Sequence, residues 1–235
     1  MLLLPPSEGK AAGGDEPGWS PDLGVFGEAL ADRREAVVGA LAAADGGDAK
    51  LLGVSGRHLE RARGANLGLL GAPTLPAWQR YTGVVWDHLD PAGIAAAERR
   101  SIVVVSGLHG LLGGEDPVPD YRLKMGASLT PFGKLSTWWR EALTSVLIEC
   151  SGGAPVVDLL PQEHRAALVG AGRRHLVPGA VVVDLVERSG RSGGHAAKAA
   201  KGRLARHLLT ADTPLDDALA SWEDDRFVLD ISLAD

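Results

Sequence analysis

The stretch from Arg188 to Ala211 carries six basic side chains and no acidic one, although the formal net charge of the whole chain is −6. A helix through this stretch would turn by about 100° per residue and would gather four side chains within an arc of roughly 140°. These four are His195, Lys198, Lys201 and Arg206. A cationic surface without acidic neighbours is suited to binding phosphate. The residues of this helix that we expect to contact phosphate are Lys198, Lys201, Arg203 and Arg206.

The opposite side of the same helix is apolar. Its residues are Ala197, Ala200, Leu204 and Leu208. This pattern predicts an amphipathic helix that packs on the core through small and leucine side chains and turns its basic face outward. A basic helix face is often simply a solvated surface, so phosphate binding and solvation both remain open at this point.

A second reactive group, Ser7, Glu8 and Lys10, follows a short apolar run at Leu2–Leu4. In open α/β sheets, ligands bind beyond the carboxyl ends of the strands. The segment is not a P-loop, because it lacks both the early glycine and the final Ser or Thr of that motif. A Ser, a Glu and a Lys held together can bind phosphate or perform acid–base chemistry, and they can also form no more than a polar turn. These three are the catalytic candidates, and Lys10 is also a phosphate-binding candidate.

Arg57 and His58 follow a glycine-containing turn within the segment LGVSGRHLERA at positions 52–62. The pattern resembles a helix-hairpin-helix element, in which hairpin amides and a helix N-terminus bind one backbone phosphate. Two residues separate Gly53 from Gly56, whereas the usual hairpin reads Gly-x-Gly. An ordinary glycine turn between two helices is therefore the alternative interpretation.

Two further groups lie near the middle of the chain. Ser106 and His109 follow a strand-like run, but the segment lacks the Gly-x-Ser-x-Gly elbow and gives little support to a hydrolase. Tyr121, Arg122 and Lys124 form an aromatic and basic cluster that suits stacking and phosphate contact. The alternative for this cluster is a buried tyrosine beside a surface strand.

Apolar runs predict the elements that must position these groups. The predicted strands are Leu2–Leu4, Ile102–Val105, Val156–Leu159, Val181–Val183 and an edge strand at Phe227–Leu233. The predicted helices are Glu28–Ala44, Leu135–Glu149, Pro161–Ala171, the basic helix and Leu215–Trp222. Strands separated by helices predict an α/β (α+β) fold, with a mixed sheet flanked by helices.

Composition excludes several classes of protein. An apolar content of 45% is ample for a packed core. The N-terminus lacks the features of a signal peptide and no run approaches the length of a membrane span, so we expect a cytoplasmic protein without a membrane partner. Cys150 is the single cysteine and no histidine pair has helical ligand spacing, so we expect no metal site and no cofactor.

Several segments together resemble the YaaA family of bacterial proteins associated with peroxide stress. They span positions 2–10, 52–62, 81–90, 105–126, 139–147, 157–164 and 198–207. The segment VSGLHGLLGGEDPVPDYRLKMG at positions 105–126 is the most specific of them. The resemblance covers essentially the whole chain and implies one domain over residues 1–235, with the "cantaloupe" fold, a positively charged cleft and a helix-hairpin-helix element. It also implies binding to duplex DNA and a stress role linked to limiting free iron.

Two functions remain open. The first is a cytoplasmic stress-response protein that binds duplex DNA without sequence preference, with Arg57 and His58 on one strand and the basic helix on the other. Four to six phosphate contacts predict a slope of log affinity against log salt of roughly −4 to −5. The second is an enzyme acting on a nucleotide or another small phosphorylated substrate in the same cleft, which requires Glu8 to lie close to Lys198 and Lys201. No recognised catalytic motif supports the enzyme, and the helical spacing of Glu and His gives direct iron binding little support.

Overall fold

The computed structural model describes residues 1–15, 18–190 and 194–234. The strands are β1 (Leu2–Leu4), β2 (Gly9–Lys10), β3 (Leu75–Pro76), β4 (Tyr81–Thr82), β5 (Ile102–Ser106), β6 (Gly110–Gly113), β7 (Pro117–Val118), β8 (Ser128–Leu129), β9 (Gly133–Lys134), β10 (Val157–Asp158), β11 (Val181–Glu187) and β12 (Phe227–Leu233). The α-helices are α1 (Gly27–Ala43), α2 (Ala49–Leu52), α3 (Arg57–Leu67), α4 (Ala77–Arg80), α5 (Val84–Leu89), α6 (Ala96–Arg99), α7 (Leu135–Trp138), α8 (Arg140–Ser151), α9 (Gln162–Arg165), α10 (Gly194–Thr210) and α11 (Leu215–Ser221). Two short 3₁₀ helices lie at Pro91–Gly93 and Ala171–Arg173.

Within the described ranges, six strands form one mixed sheet in the order β12, β11, β10, β1, β5, β6. The four inner strands are parallel, and an antiparallel strand is added at each edge. Every residue of β1 and β5 is buried, which is why these strands are continuous apolar runs without alternation. The predicted mixed sheet is confirmed, together with the predicted edge strand at its antiparallel border.

The helices depart from the sequence predictions at two places. The helix predicted over 135–149 is divided into α7 and α8, which meet at Trp139. The helix predicted over 161–171 ends after one turn at Arg165, and the residues beyond it include Gly170 and Gly172, the latter with a φ of 69°. Glycine weakens a helix because it loses the most conformational freedom on ordering, so the apolar pattern there did not extend the helix.

The basic helix α10 packs closely against α5, which the sequence pattern did not predict. Gly202 allows this approach, because a Cβ placed on it would lie 2.3 Å from the carbonyl oxygen of Val85. On nearly the opposite side of α10 from Gly202, Ala200 and Leu204 are completely buried, whereas Ala197 and Leu208 are partly exposed. The predicted apolar face of this helix is confirmed at its centre.

The buried residues of the sheet and the helices form one continuous hydrophobic core. The described residues therefore make up a single domain of the expected α/β class, with helices flanking a mixed sheet. Among the helices in the described ranges, none combines the length and the apolar character needed to cross a lipid bilayer.

Candidate functional site

The order of the parallel strands marks one place where a ligand site is expected. β1 lies between β10 and β5, and all three are parallel. The chain leaves β1 towards β5 on one side and returns to β10 on the other side. In open α/β sheets, the crevice at the carboxyl ends of two such strands is where ligands bind. Here the segment 5–10 follows β1 and the segment 159–164 follows β10.

A cavity of about 350 Å³ lies at these strand ends. Four separate segments of the chain line it. They are residues 6–10, 52–54, 121–124 and 163–164. All four belong to the segments that carry the family resemblance, so residues far apart in the sequence are brought together at one site. The cavity contains five of the predicted site residues, which are Ser7, Glu8, Lys10, Arg122 and Lys124.

Lys10 is fixed at the inner side of this cavity. Its backbone belongs to β2, which pairs with β4 so that Lys10 lies opposite Tyr81. Its Nζ donates a hydrogen bond of 2.9 Å to the carbonyl oxygen of Ser7 and lies 4.1 Å from the centre of the Tyr121 ring. Burial and, to a smaller extent, the nearby positive charge of Arg122 lower the pKa of Lys10 from 10.5 to about 7. The amine is therefore poised between its charged and neutral forms at neutral pH.

Glu8 and Lys124 form an ion pair at the mouth of the cavity. The distance from Lys124 Nζ to Glu8 Oε1 is 2.8 Å, and the Glu8 side chain is 80% exposed. The hydrogen bond from Lys124 lowers the pKa of Glu8, and the positive charges of Lys198 and Lys10 contribute to the same shift. An ion pair this exposed adds little stability. The ion pair matters for the arrangement of charges, because Glu8 lies within electrostatic range of cations from three segments of the chain.

The turn between α2 and α3 forms another wall of the cavity. Gly53 ends α2 with a left-handed φ of 67°, and a Cβ placed on it would lie 3.3 Å from Lys124 Nζ. The backbone of the turn therefore approaches the ion pair closely. Arg57 and His58 are exposed at the start of α3. His58 lines a smaller adjoining cavity of about 120 Å³ together with Arg122, whereas Arg57 lines neither cavity.

Asn66, which the sequence interpretation missed, attaches α3 to the segment that carries Arg122 and Lys124. Its side chain accepts a hydrogen bond of 2.8 Å from the Arg122 amide and donates one of 2.8 Å to the Arg122 carbonyl. Asn66 is buried, so both groups would be costly to leave unpaired. The guanidinium of Arg122 donates to Asp120, which offsets part of its charge.

The floor of the site is a buried polar network. The hydroxyl groups of Tyr121 and Tyr81 are 2.9 Å apart, and Ser106 Oγ lies 2.8 Å from the Tyr121 hydroxyl. Ser106 Oγ is also 3.3 Å from Nδ1 of His109, and burial lowers the pKa of His109 well below its ordinary value. Ser106 and His109 are 0% and 1% exposed, so a substrate in the cavity cannot reach them. The nucleophile–base interpretation of this pair is therefore not supported, and the pair holds the Tyr121 ring beneath Lys10.

Glu163 and His164 complete the cavity on the side of β10. The sequence interpretation included them in a family segment but not among the site residues. Glu163 Oε1 accepts a hydrogen bond of 3.0 Å from the Gly126 amide. Burial lowers the pKa of His164 to about 4, so its imidazole is neutral at neutral pH. The signal that could have found them is their position directly after a predicted strand.

The outward cationic face predicted for α10 is found only in part, because His195 and Lys198 are exposed but three other basic side chains have partners on neighbouring elements. Arg203 donates to Asp224, and Arg206 Nη1 lies 3.1 Å from Asp90 Oδ2. Lys201 is partly buried and donates to the carbonyl oxygen of Leu159. Neighbouring elements place acidic side chains and carbonyl groups against α10. The sequence of the helix itself gives no indication of these partners. Arg191, one of the six basic residues of this stretch, lies outside the described residues.

Lys198 and Lys201 therefore have different surroundings, although they are one helical turn apart. Lys198 is exposed and lies close enough to Glu8 to lower the pKa of that carboxyl group. Burial lowers the pKa of Lys201 to about 8, and Asp158 and Asp184 partly oppose the shift. Of the two lysines expected near Glu8, Lys198 is thus within electrostatic range of it, while Lys201 is influenced by the acids of β10 and β11.

In the described part of the chain, no group of three or more His, Cys, Asp or Glu side chains is arranged to hold a metal ion.

Comparison with known proteins finds one family whose model matches nearly the whole chain. The family model described as "Peroxide stress protein YaaA" matches residues 1–232. A UPF0246 protein of Streptomyces coelicolor is 40% identical over 223 residues, which covers 91% of this chain and 84% of that protein. A UPF0246 protein of Corynebacterium efficiens is 34% identical over 223 residues, covering 90% and 85%, and one of Corynebacterium glutamicum is 31% identical over 225 residues, covering 93% and 88%.

Proposed function

Given that the chain belongs to the peroxide stress protein YaaA family, we propose that it serves its stress-related role through the cavity at the ends of β1 and β10. The ligand that we propose is a small phosphorylated molecule, such as a nucleotide, on which the protein acts as an enzyme. The observation that carries the proposal is the convergence of Lys10, Lys124 and Glu8 in one cavity.

The size of the cavity supports a small ligand. Its volume of about 350 Å³ lies within the range of roughly 300–1,000 Å³ that is usual for small-molecule sites. A duplex DNA backbone would instead need a long row of cations, and Arg203 and Arg206 of α10 are already paired with acids. The charges of the cavity favour an anionic group that Lys124 and Lys198 attract at its mouth.

The carboxylate of Glu8 supports an enzyme more than a simple anion receptor. A carboxylate in a phosphate site repels the ligand unless it orients a cation or takes part in proton transfer. Glu8 does the first for Lys124, to which it is hydrogen-bonded, and it lies within electrostatic reach of Lys10. Together, these groups can provide a base and an electrostatic clamp.

Calorimetric titration tests this proposal with ribose 5-phosphate, AMP and inorganic phosphate as probes. We expect the parent protein to bind at least one probe and Lys124→Met to bind it about tenfold more weakly, a loss of about 1.4 kcal/mol. Lys134→Met is the matched control, because Lys134 is an exposed lysine that does not line the cavity. Equal affinities of the two variants would contradict the proposal.

A second candidate function, sequence-independent binding of duplex DNA, is favoured by the exposed cations beside the cavity. Arg57 and His58 begin the eleven-residue helix α3, whose N-terminal amides can attract phosphate. Lys124 and Lys198 are exposed on the same side as Glu8. In this candidate, the turn between α2 and α3 serves as the helix-hairpin-helix element, and the small-molecule cavity lies next to the bound backbone.

Salt dependence tests DNA binding. Three to four phosphate contacts predict a slope of log affinity against log salt of roughly −3 to −4, smaller than the sequence alone suggested. Arg57→Ala should reduce the slope by about one unit, whereas Arg203→Ala should leave it unchanged. A slope near zero would rule out this candidate.

The resemblance to the family also suggests two further proposals, one on the location of the protein in the cell and one on iron. We propose that the protein works in the cytoplasm, where reduced thiols persist, and its single cysteine, Cys150, is exposed and free. The implied link to free iron is tested by measuring whether the purified protein binds iron in stoichiometric amounts.

A further inference from the structure

We propose that Lys10 is the reactive amine of an imine-forming site, and that the site takes a small aldehyde or ketone that also carries a phosphate group. The inference rests on the proposed function of the cavity and adds to it the chemical class of the substrate and the bond that is formed.

The Lys10 amine is held at a defined position in the cavity. Lys10 lines the cavity, and its place along the chain is fixed by the pairing of β2 with β4. Its Nζ makes one hydrogen bond, to the Ser7 carbonyl, and lies over the rings of Tyr121 and Tyr81 at 4.1 and 5.5 Å. Among the described residues, no carboxylate oxygen lies within ion-pair distance of this nitrogen. The amine is thus held in place without being neutralised by an acid.

Lys10 differs from the other lysines near the site. Lys124 is paired with Glu8, which raises the pKa of Lys124 and keeps it charged. Lys201 donates to the Leu159 carbonyl and is influenced by Asp158 and Asp184. Lys10 thus combines a place in the cavity with burial and with the nearby positive charge of Arg122. A nucleophilic lysine needs this combination, because only the neutral amine attacks a carbonyl carbon.

The protonation state of Lys10 also favours its role as a nucleophile. Burial lowers the pKa of Lys10 to about 7, so about half of the amine is neutral at pH 7. An ordinary exposed lysine with a pKa near 10.4 is neutral in fewer than about one molecule in a thousand at this pH. The geometry supplies the site, and this protonation state supplies the nucleophile.

The reaction is balanced in atoms and charge. The lone pair of neutral Nζ forms a bond to the carbonyl carbon, and the carbonyl electron pair moves to oxygen, which takes up a proton. The carbinolamine cation that results loses one nitrogen proton to solvent, takes up one proton on its hydroxyl group and releases water, and the protonated imine then gives its remaining nitrogen proton to solvent. The carbon–nitrogen double bond then replaces the carbon–oxygen bond, so the net products are one imine and one water.

The remaining groups of the cavity fit the phosphate of such a substrate. Lys124 lies at the mouth of the cavity with Lys198 nearby, and Arg122 lines the wall. A phosphate held by these cations would place a carbonyl group deeper in the cavity, towards Lys10. The anionic group therefore orients the substrate, and the amine reacts with its other end.

The test uses glycolaldehyde phosphate as the probe and unphosphorylated glycolaldehyde as its neutral match, with the full-length protein at pH 7. Sodium cyanoborohydride reduces an imine to a stable secondary amine, and mass spectrometry then measures the modified fraction of every lysine. We expect Lys10 to be modified at least tenfold faster than the exposed Lys50 and Lys134. We also expect the phosphorylated probe to be about tenfold more effective at Lys10, and Lys124→Met to abolish that advantage.

A pH series separates reactivity from simple access. Modification of Lys10 should reach a plateau above about pH 8, one unit above its pKa, whereas that of Lys50 and Lys134 should continue to rise towards pH 10. Equal rates at Lys10 and these two reference lysines, or a Lys10 that stays unmodified while they react, would overturn the proposal. The parent protein carries this test, so it does not depend on the folding of a Lys10 variant.

The outcomes also distinguish this inference from the proposed function. If AMP or ribose 5-phosphate binds in calorimetry while Lys10 stays unmodified, the imine is wrong and the phosphate site stands. If Lys10 reacts rapidly with both aldehydes without a phosphate advantage, and no phosphorylated probe binds in calorimetry, the imine site stands and the phosphorylated ligand is wrong. Lys10→Arg, which keeps a cation without a nucleophile, should lose the modification at position 10 while Lys50 and Lys134 are still modified.

Discussion

The cavity at the ends of β1 and β10 and the outer side of α10 both contain clusters of basic residues, but the protein uses them differently. In the cavity, cations from separate segments converge around the exposed carboxylate of Glu8, and a second exposed carboxylate, Glu163, lines the same cavity. On α10, cations from one continuous segment are divided among different partners, as Arg203 pairs with Asp224 and Arg206 with Asp90. A run of basic residues along a helix is thus a weaker indicator of a binding site than cations that separate segments bring together.

The comparison also explains why α10 contains its small residues. Gly202 and Ala200 face the neighbouring elements, and Gly202 lets α10 approach the backbone of α5. Arg206 then donates to the carbonyl oxygens of Leu89 and Asp90 at the end of that helix. Much of the basic character of α10 therefore stabilises packing and does not face a ligand.

The largest expected effect tests the packing role of α10. Gly202→Ala places a Cβ 2.3 Å from the carbonyl oxygen of Val85. We expect the free energy of unfolding to fall by about 2 kcal/mol, because an overpacking cost of about 1–3 kcal/mol outweighs the higher helix propensity of alanine. Urea denaturation measures the change. Gly64→Ala in α3 is the matched control, because a Cβ there meets no atom within 4 Å and should stabilise the protein.

The next effect tests whether the cavity is the anion site. Lys198→Met should weaken binding of the phosphorylated probe by about three- to tenfold, or about 0.7–1.4 kcal/mol, because Lys198 adds positive charge beside Glu8. Arg203→Ala on the same helix should change that affinity by less than about twofold, since its charge is already paired. Calorimetric titration of both variants with the phosphorylated probe measures these two changes in affinity. Equal losses would mean that α10 binds the ligand along its whole length.

A pH-dependent effect of about 1 kcal/mol per pH unit comes from Lys10. Its folded pKa of about 7 lies below its ordinary value of 10.5, so between these values the unfolded chain holds more protons. The free energy of unfolding therefore rises with pH across this window, by up to about 1.4 kcal/mol per unit, and the burial penalty is fully present below pH 7. Lys10→Met should lack this component. Urea unfolding of both proteins at pH 7.5 and 9 measures it, and parallel pH profiles would contradict the low pKa.

The smallest effect concerns the paired arginines. Arg206→Ala should lower the free energy of unfolding by about 1 kcal/mol or less, because its bonds to Leu89 and Asp90 lie at a partly exposed helix end. The same variant should leave phosphate affinity unchanged. Thermal unfolding and calorimetry test the two statements, and a clear loss of affinity would restore Arg206 to the binding site.

Much of the fold follows from local pattern. The buried strands were predicted because parallel strands covered on both faces need continuous apolar runs, as in Leu2–Leu4 and Ile102–Ser106. The short elements were not predictable in the same way. α5 has only six residues, and β2 has two, so neither contains enough residues to display a period. Their existence depends on packing against α10 and on pairing with β4.

The candidate site was partly predictable for a similar reason. Ser7, Glu8 and Lys10 follow a strand directly, and that position alone suggested a ligand site. Glu163 and His164 follow β10 in the same manner. They can be assigned to the same site only once β10 is known to lie beside β1. Asn66 gave no signal at all, because its role is to bond a backbone segment 56 residues away.

The sequence by itself determined which side chains share a strand or a helix face, since backbone geometry fixes their direction within one element. That was enough to predict the mixed sheet and the apolar side of α10. Only the tertiary structure decided which charged side chains are paired with a partner and which are buried. Arg206 meets Asp90 from 116 residues away, and Lys10 loses solvent to the rings of Tyr121 and Tyr81. Electrostatic partners and burial depend on distances between elements, and those distances exist only after the elements have packed.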